Sequence, residues 1–109
     1  MSTQTIRVAA VHLGGVRALA AGQAGLELRF SEVGLHILDL ETRSAVGRLE
    51  WAEIRSLALP RRRWSLRRAP VRLVITTDGG QARFALTGLT RAQVKENLAP
   101  LALGRFRSD

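Results

Sequence analysis

Cysteine is absent from the 109-residue chain, so neither a disulfide framework nor a thiolate metal site is open to it, and the fold must rest on packing alone. That absence suits a reducing, cytoplasmic setting. Tyrosine is absent too, and with two tryptophans and three phenylalanines the core must be largely aliphatic. Only His12 and His36 supply imidazoles; neither has an i, i+4 histidine or the acidic neighbours of a metal site, so they read as ordinary partly buried or solvent-facing residues. No run of apolar residues approaches a membrane-spanning length. The start, Met-Ser-Thr-Gln-Thr, lacks the basic residues of a secretory signal, and His12, Arg17 and several glycines break the apolar stretch that follows. A soluble single domain is therefore expected, since this length supports one core and not two.

One further absence is local. Between Ile54 and Thr77 there is no Asp or Glu but there are seven arginines, Arg55, Arg61, Arg62, Arg63, Arg67, Arg68 and Arg72. The rest of the chain holds ten basic against nine acidic residues, so nearly all of the net charge of +8 sits in that one segment. Sixteen of the seventeen basic residues are Arg, and a general preference for Arg over Lys on a solvated surface accounts for much of this. It does not account for the exclusion of acids, because a solubilising surface mixes the signs.

The clearest structural signal runs from Val71 to Ala102. Val71, Leu73 and Ile75 alternate with Arg72 and Thr76, and Ala82, Phe84 and Leu86 flank Arg83 in the same period of two, which describes a half-buried β-hairpin. Asp78-Gly79 supplies either a type I′ turn or, with Gly80 and Gln81, a longer bulged loop. After Gly88 the period changes to that of a helix. Thr90 and Gln93 form a capping box, Leu89 can staple Val94, and Val94, Leu98 and Leu101 share a stripe. Pro100 should end the helix near Ala99 or kink it, with Gly104 as a natural stop.

Upstream, Ile6 to Leu13 reads equally as an edge strand, a short helix or a loosely attached lead-in. Short strands are expected at Val16 to Ala20, Leu26 to Phe30, Leu35 to Ile37, Ala45 to Trp51 and Ile54 to Leu59, separated by turns at 21–25, 31–34 and 39–44 and a corner at 50–53. About seven strands without intervening helices, followed by one helix, call for a mainly β fold: an antiparallel, partly open barrel or sandwich capped by the C-terminal helix.

Gly34-Leu35-His36-Ile37 after an acidic turn, Trp51-x-x-Ile54 at a corner, and Asp78-Gly79 with Phe84 before a final helix resemble, in that order, the small bacterial members of the pleckstrin-homology-like superfamily. The resemblance covers roughly residues 13 to 103, leaving 1–12 as a lead-in and 104–109 as a tail. It implies a seven-stranded barrel capped by the helix, with Trp51 and Ile54 packed under the sheet, and a binding module in place of an enzyme. The superfamily's phosphoinositide site uses basic residues in and beside the loop after the first strand. The corresponding loop here, Ala21 to Gly25, has none, so that headgroup pocket is not expected.

The residues themselves offer no catalytic set. Ser31, His36 and Asp39 are close in sequence but scattered by strand alternation, and no G-x-S-x-G elbow exposes a serine. Gly14-Gly15 and Gly22-x-x-Gly25 lack the strand-to-helix context of a phosphate cradle. No enzyme activity and no cofactor is expected. The unusual surface is Pro60 to Pro70, Pro-Arg-Arg-Arg-Trp-Ser-Leu-Arg-Arg-Ala-Pro. If extended, it puts Arg62, Trp64 and Leu66 on one face and Arg61, Arg63, Ser65 and Arg67 on the other. Either the flanking strands continue into a long hairpin with solvated arginines, or Arg61, Arg62, Arg63, Trp64, Arg67, Arg68 and Arg72 form a contact surface for an acidic protein or an anionic phospholipid layer. Nucleic acid ranks behind these, because one Trp is a poor stacking platform and the cluster is a loop-sized patch and not a stripe across a sheet. A homo-oligomeric or scaffolding role is a further alternative.

Overall fold

The computed structural model describes residues 5–60, 71–102 and 104–107. Its strands are β1 (Ile6–Gly14), β2 (Leu26–Phe30), β3 (Gly34–Asp39), β4 (Ser44–Glu50), β5 (Ile54–Ala58), β6 (Val71–Thr77), β7 (Gly80–Thr87) and β8 (Phe106–Arg107), with a 3₁₀ turn over Trp51–Glu53 and one helix, α1 (Arg91–Ala102). They form a single eight-stranded sheet in the order β4-β3-β2-β1-β7-β6-β5-β8. Every pairing is antiparallel except β5 with β8. The fold is thus mainly β with one C-terminal helix, and the sheet stays open between its two edges, β4 and β8.

The expected alternations hold where they were clearest. Leu26, Leu28 and Phe30 of β2, Leu35 and Ile37 of β3, Leu73 and Ile75 of β6, and Ala82, Phe84 and Leu86 of β7 all turn inward into one apolar cluster. Burial of this aliphatic surface, at roughly 25 cal/mol per Å², is the main stabilising contribution. Trp51 and Ile54 join the cluster, and the Trp51 indole N–H donates to the Ser31 carbonyl at 2.7 Å, so the ring is buried without orphaning its polar edge. The helix closes over the same cluster through Val94, Leu98 and Ala102, with Leu101 half-buried beside them. Its start is the expected capping box: the Gln93 amide donates to Thr90 Oγ1 at 3.2 Å and the Thr90 amide to Gln93 Oε1 at 2.9 Å.

Several expectations are corrected. Ile6 to Leu13 is neither edge nor lead-in: β1 lies between β2 and β7 and pairs with both, so the boundary drawn at residue 13 falls inside the strand that joins the two halves of the sheet. Val16 to Ala20 is a turn, not a strand, because its backbone is bonded to the His12 ring in place of a neighbouring strand. The Asp78-Gly79 hairpin is not type I′, which needs positive φ at both central residues, and it is not the longer bulged loop either: Thr77 pairs with Gly80 and Thr76 with Gln81 in unbroken register, and the positive φ falls on Gly80, at 136°. The helix runs through Pro100 to Ala102. Both Pro100 and Glu96, whose carbonyl loses its donor there, are exposed residues on the solvent side of the helix. Residues 105–107 of the tail are tied to the sheet: β8 pairs with β5, and the Arg105 side chain donates from Nε to the Ile54 carbonyl at 3.0 Å.

Truncation of Phe84, fully buried at the centre of β7, to Ala should cost about 3–5 kcal/mol, and Trp51→Ala a similar amount, as cavities open in a core that collapses only partly. Urea denaturation of both variants checks this. Unchanged midpoints at both positions would mean that the strand phases are wrong.

Candidate docking site

Of the seven proposed contact residues, Arg61, Arg62, Arg63, Trp64, Arg67 and Arg68 lie outside the described residues, and Arg72 is exposed on β6 opposite Ala85 of β7, with no ion pair among the described residues. What the structure does describe is the base on which the segment stands. β5 and β6 are neighbours, with Ala58 in register with Val74 and Leu57 with Ile75. Leu59, just after β5, is fully buried, and its carbonyl accepts a bond from Arg91 Nε at 3.0 Å. The outer edge of β5 is covered as well, since the Leu57 amide donates to the Arg105 carbonyl at 3.0 Å. The arginine-rich segment therefore leaves and rejoins the sheet at two adjacent, firmly held strands. Arg91 and Arg105, which composition alone would count with the surface charge, are structural ties to β5.

Arg55, the other described member of the segment, pairs with Asp78 at the β6–β7 turn. Both side chains are mostly exposed, so solvent screening leaves that pair little stabilising value.

A cleft of about 280 Å³ lies at the open side of the sheet, where the loop after β1, the middle of β4 and the β6–β7 turn approach each other. Val16, Ile37, Leu49 and Ala82 give it apolar walls, and the exposed Arg17 and Arg48 also line it. The resemblance equates the superfamily's binding loop with Ala21 to Gly25, whereas the loop after β1 begins at Gly15 and so includes Arg17. The loop is held by His12, which is 1% exposed. The Val16 amide donates to His12 Nε2 at 3.1 Å, which leaves Nδ1–H to donate to the Ala20 carbonyl at 2.9 Å. His12 is thus a structural latch whose ring nitrogens are both occupied, packed beside Phe84 at a centroid distance of 5.5 Å. Gly15 adds a steric requirement: with φ at 99° it sits so close to β7 that a Cβ there would overlap the Gln81 carbonyl oxygen.

The register also creates a feature that no stretch of sequence shows. Arg7 of β1 is opposite Arg29 of β2, Arg29 is opposite His36 of β3, and His36 is opposite Arg48 of β4. These four side chains alternate with buried ones and so share the outer face of the sheet, in one row across four strands. Arg29 is bonded to Glu27 at 2.6 Å and Arg48 to Glu50 at 3.2 Å, each two residues along its own strand. A row of three arginines and one histidine across a sheet is therefore present, built from residues outside the arginine-rich segment.

No group of three or more His, Asp or Glu side chains suited to a metal ion occurs among the described residues. No described helix is long and apolar enough to cross a membrane. Ser31, His36 and Asp39 are not brought together for chemistry: Ser31 Oγ accepts from the Val33 amide at 3.3 Å and Asp39 Oδ1 from the Glu41 amide at 2.9 Å, each organising its own turn. Comparison with family models and with curated proteins returns no match.

Replacing His12 with Phe keeps the ring volume but strands the Val16 amide and the Ala20 carbonyl. It should cost about 1–3 kcal/mol and accelerate amide exchange in residues 16–23 more than elsewhere. Exchange unchanged in that loop would show that His12 does not hold it.

Proposed function

We propose that this chain is a non-enzymatic docking module of the pleckstrin-homology-like type, cytoplasmic, which seats on an acidic surface of a protein or of a phospholipid layer through its arginine-rich segment. The observation that carries the reading is the segregation of charge. Seven arginines and no acid lie between Ile54 and Thr77, and both ends of that stretch are anchored in adjacent strands of a well-packed sheet. A run of like charges repels itself and costs stability unless something of opposite sign pairs with it. Mounted on a rigid base, it offers several guanidinium forks to carboxylates or phosphates at once. The run of strands ending in a capped helix supports the superfamily resemblance. The loop after β1, residues 15–25, carries one basic residue, Arg17, against the seven arginines of the arginine-rich segment, which favours the latter as the principal contact.

Each basic residue at an anionic surface contributes about 1 kcal/mol, so reversing three of them removes at least ~3 kcal/mol, more than a hundredfold in affinity. The variant Arg61→Glu, Arg62→Glu, Arg63→Glu should keep the unfolding midpoint of the native protein. It should also lose binding to phosphatidylserine vesicles and to immobilised polyglutamate at low salt. Co-sedimentation and surface plasmon resonance read the two surfaces. Binding of the triple variant equal to that of the native chain, or no binding of the native chain to either surface, would refute the reading.

A further inference from the structure

The row Arg7, Arg29, His36 and Arg48 is costly as a purely structural arrangement. Like charges directly opposite each other on adjacent strands destabilise a sheet, and here two arginines face each other across β1 and β2 with a third two strands on. Glu27 and Glu50 relieve part of this. They do so from within their own strands, without interrupting the row. Arg29 engages Glu27 through Nε and Arg48 engages Glu50 through one terminal nitrogen, so most of the five donors on each guanidinium remain available outward. The carboxylates also hold the forks in place, which reduces the ordering needed when an anion arrives.

The row is one side chain wide and crosses four strands spaced about 4.8 Å apart, so it spans roughly 14 Å. Such a line matches a linear polyanion better than a planar one. It holds no Phe, Tyr or Trp, and its one ring is the His36 imidazole, so a ligand would be held chiefly by its backbone and not by its bases. Arg is also the side chain whose planar fork best fits phosphate oxygens.

We propose that the outer face of β1–β4 is a track for the phosphodiester backbone of a single-stranded nucleic acid, bound without sequence preference through Arg7, Arg29 and Arg48. This goes beyond the docking role of the arginine-rich segment and uses a different surface. The test is fluorescence anisotropy with a labelled oligodeoxythymidylate about 20 nucleotides long, from about 50 mM salt upward, beside phosphatidylserine vesicles and polyglutamate. Arg7 and Arg48 are both exposed, so Arg7→Glu with Arg48→Glu should leave the circular dichroism spectrum and melting curve unchanged. Arg7→Gln with Arg48→Gln serves if charge reversal disturbs folding. The double variant should bind the oligonucleotide on the order of tenfold more weakly, with the slope of log affinity against log salt shallower by about 1.4, two phosphate contacts having been lost. The inference fails if the native protein leaves the oligonucleotide free or if both double variants bind it as the native protein does. It also fails if they lose vesicles or polyglutamate and keep the oligonucleotide. Vesicle or polyglutamate binding that survives in the Arg61, Arg62, Arg63 triple variant counts against the docking role and leaves this inference standing.

Discussion

Everything in this fold depends on β1 being paired on both sides. The meander β2-β3-β4 and the group β5-β6-β7 are each built from local hairpins and corners, and neither contacts the other through a shared ladder except by way of β1. That strand contributes Val8, Ala10 and His12 inward, the last of which also latches the loop that follows. It contributes Arg7 outward, so the same register that closes the core sets up the cationic row. Burial and surface charge are two consequences of a single alternation.

The parts legible in the sequence are those where polar and apolar residues alternate cleanly or where a capping motif is local. The Val71–Leu86 hairpin, the Thr90–Gln93 box and the Trp51–Ile54 corner each carry their own signal within a few residues. β1 does not, because its outward positions include Ala9, Val11 and Leu13, which blur the period of two until its neighbours are known. The turn at Val16–Ala20 is hidden in the sequence for a related reason. Its apolar residues look like a strand, and the ligand of its backbone is a histidine whose role is visible only in space. β8 is two residues long and exists because β5 offers it an edge. Pro100 sits within the last turn of α1 on its exposed side, next to Leu101 and Ala102, which pack on the core.

Charge was legible in part. The arginine-rich segment is a property of the sequence, and what the structure adds is its mounting on β5 and β6, tied by Arg91 and Arg105. The row on β1–β4 was invisible, since residues 7, 29, 36 and 48 come together only through strand pairing. Counting arginines therefore mixes three populations: those that tie backbone, those paired within a strand, and those that present charge outward. The second and third bear on binding, since Arg29 and Arg48 are paired within their strands and still face outward.

The central claim, that β1 unites the two halves of the sheet, is tested most directly by native-state hydrogen exchange. If the claim holds, the slowest amides of β1 exchange with the slowest class of the molecule, together with those of β6 and β7, through global unfolding. Exchange throughout β1 at the rate of the surface turns, with β6 and β7 still protected, would contradict it and would dissolve the cationic row along with it.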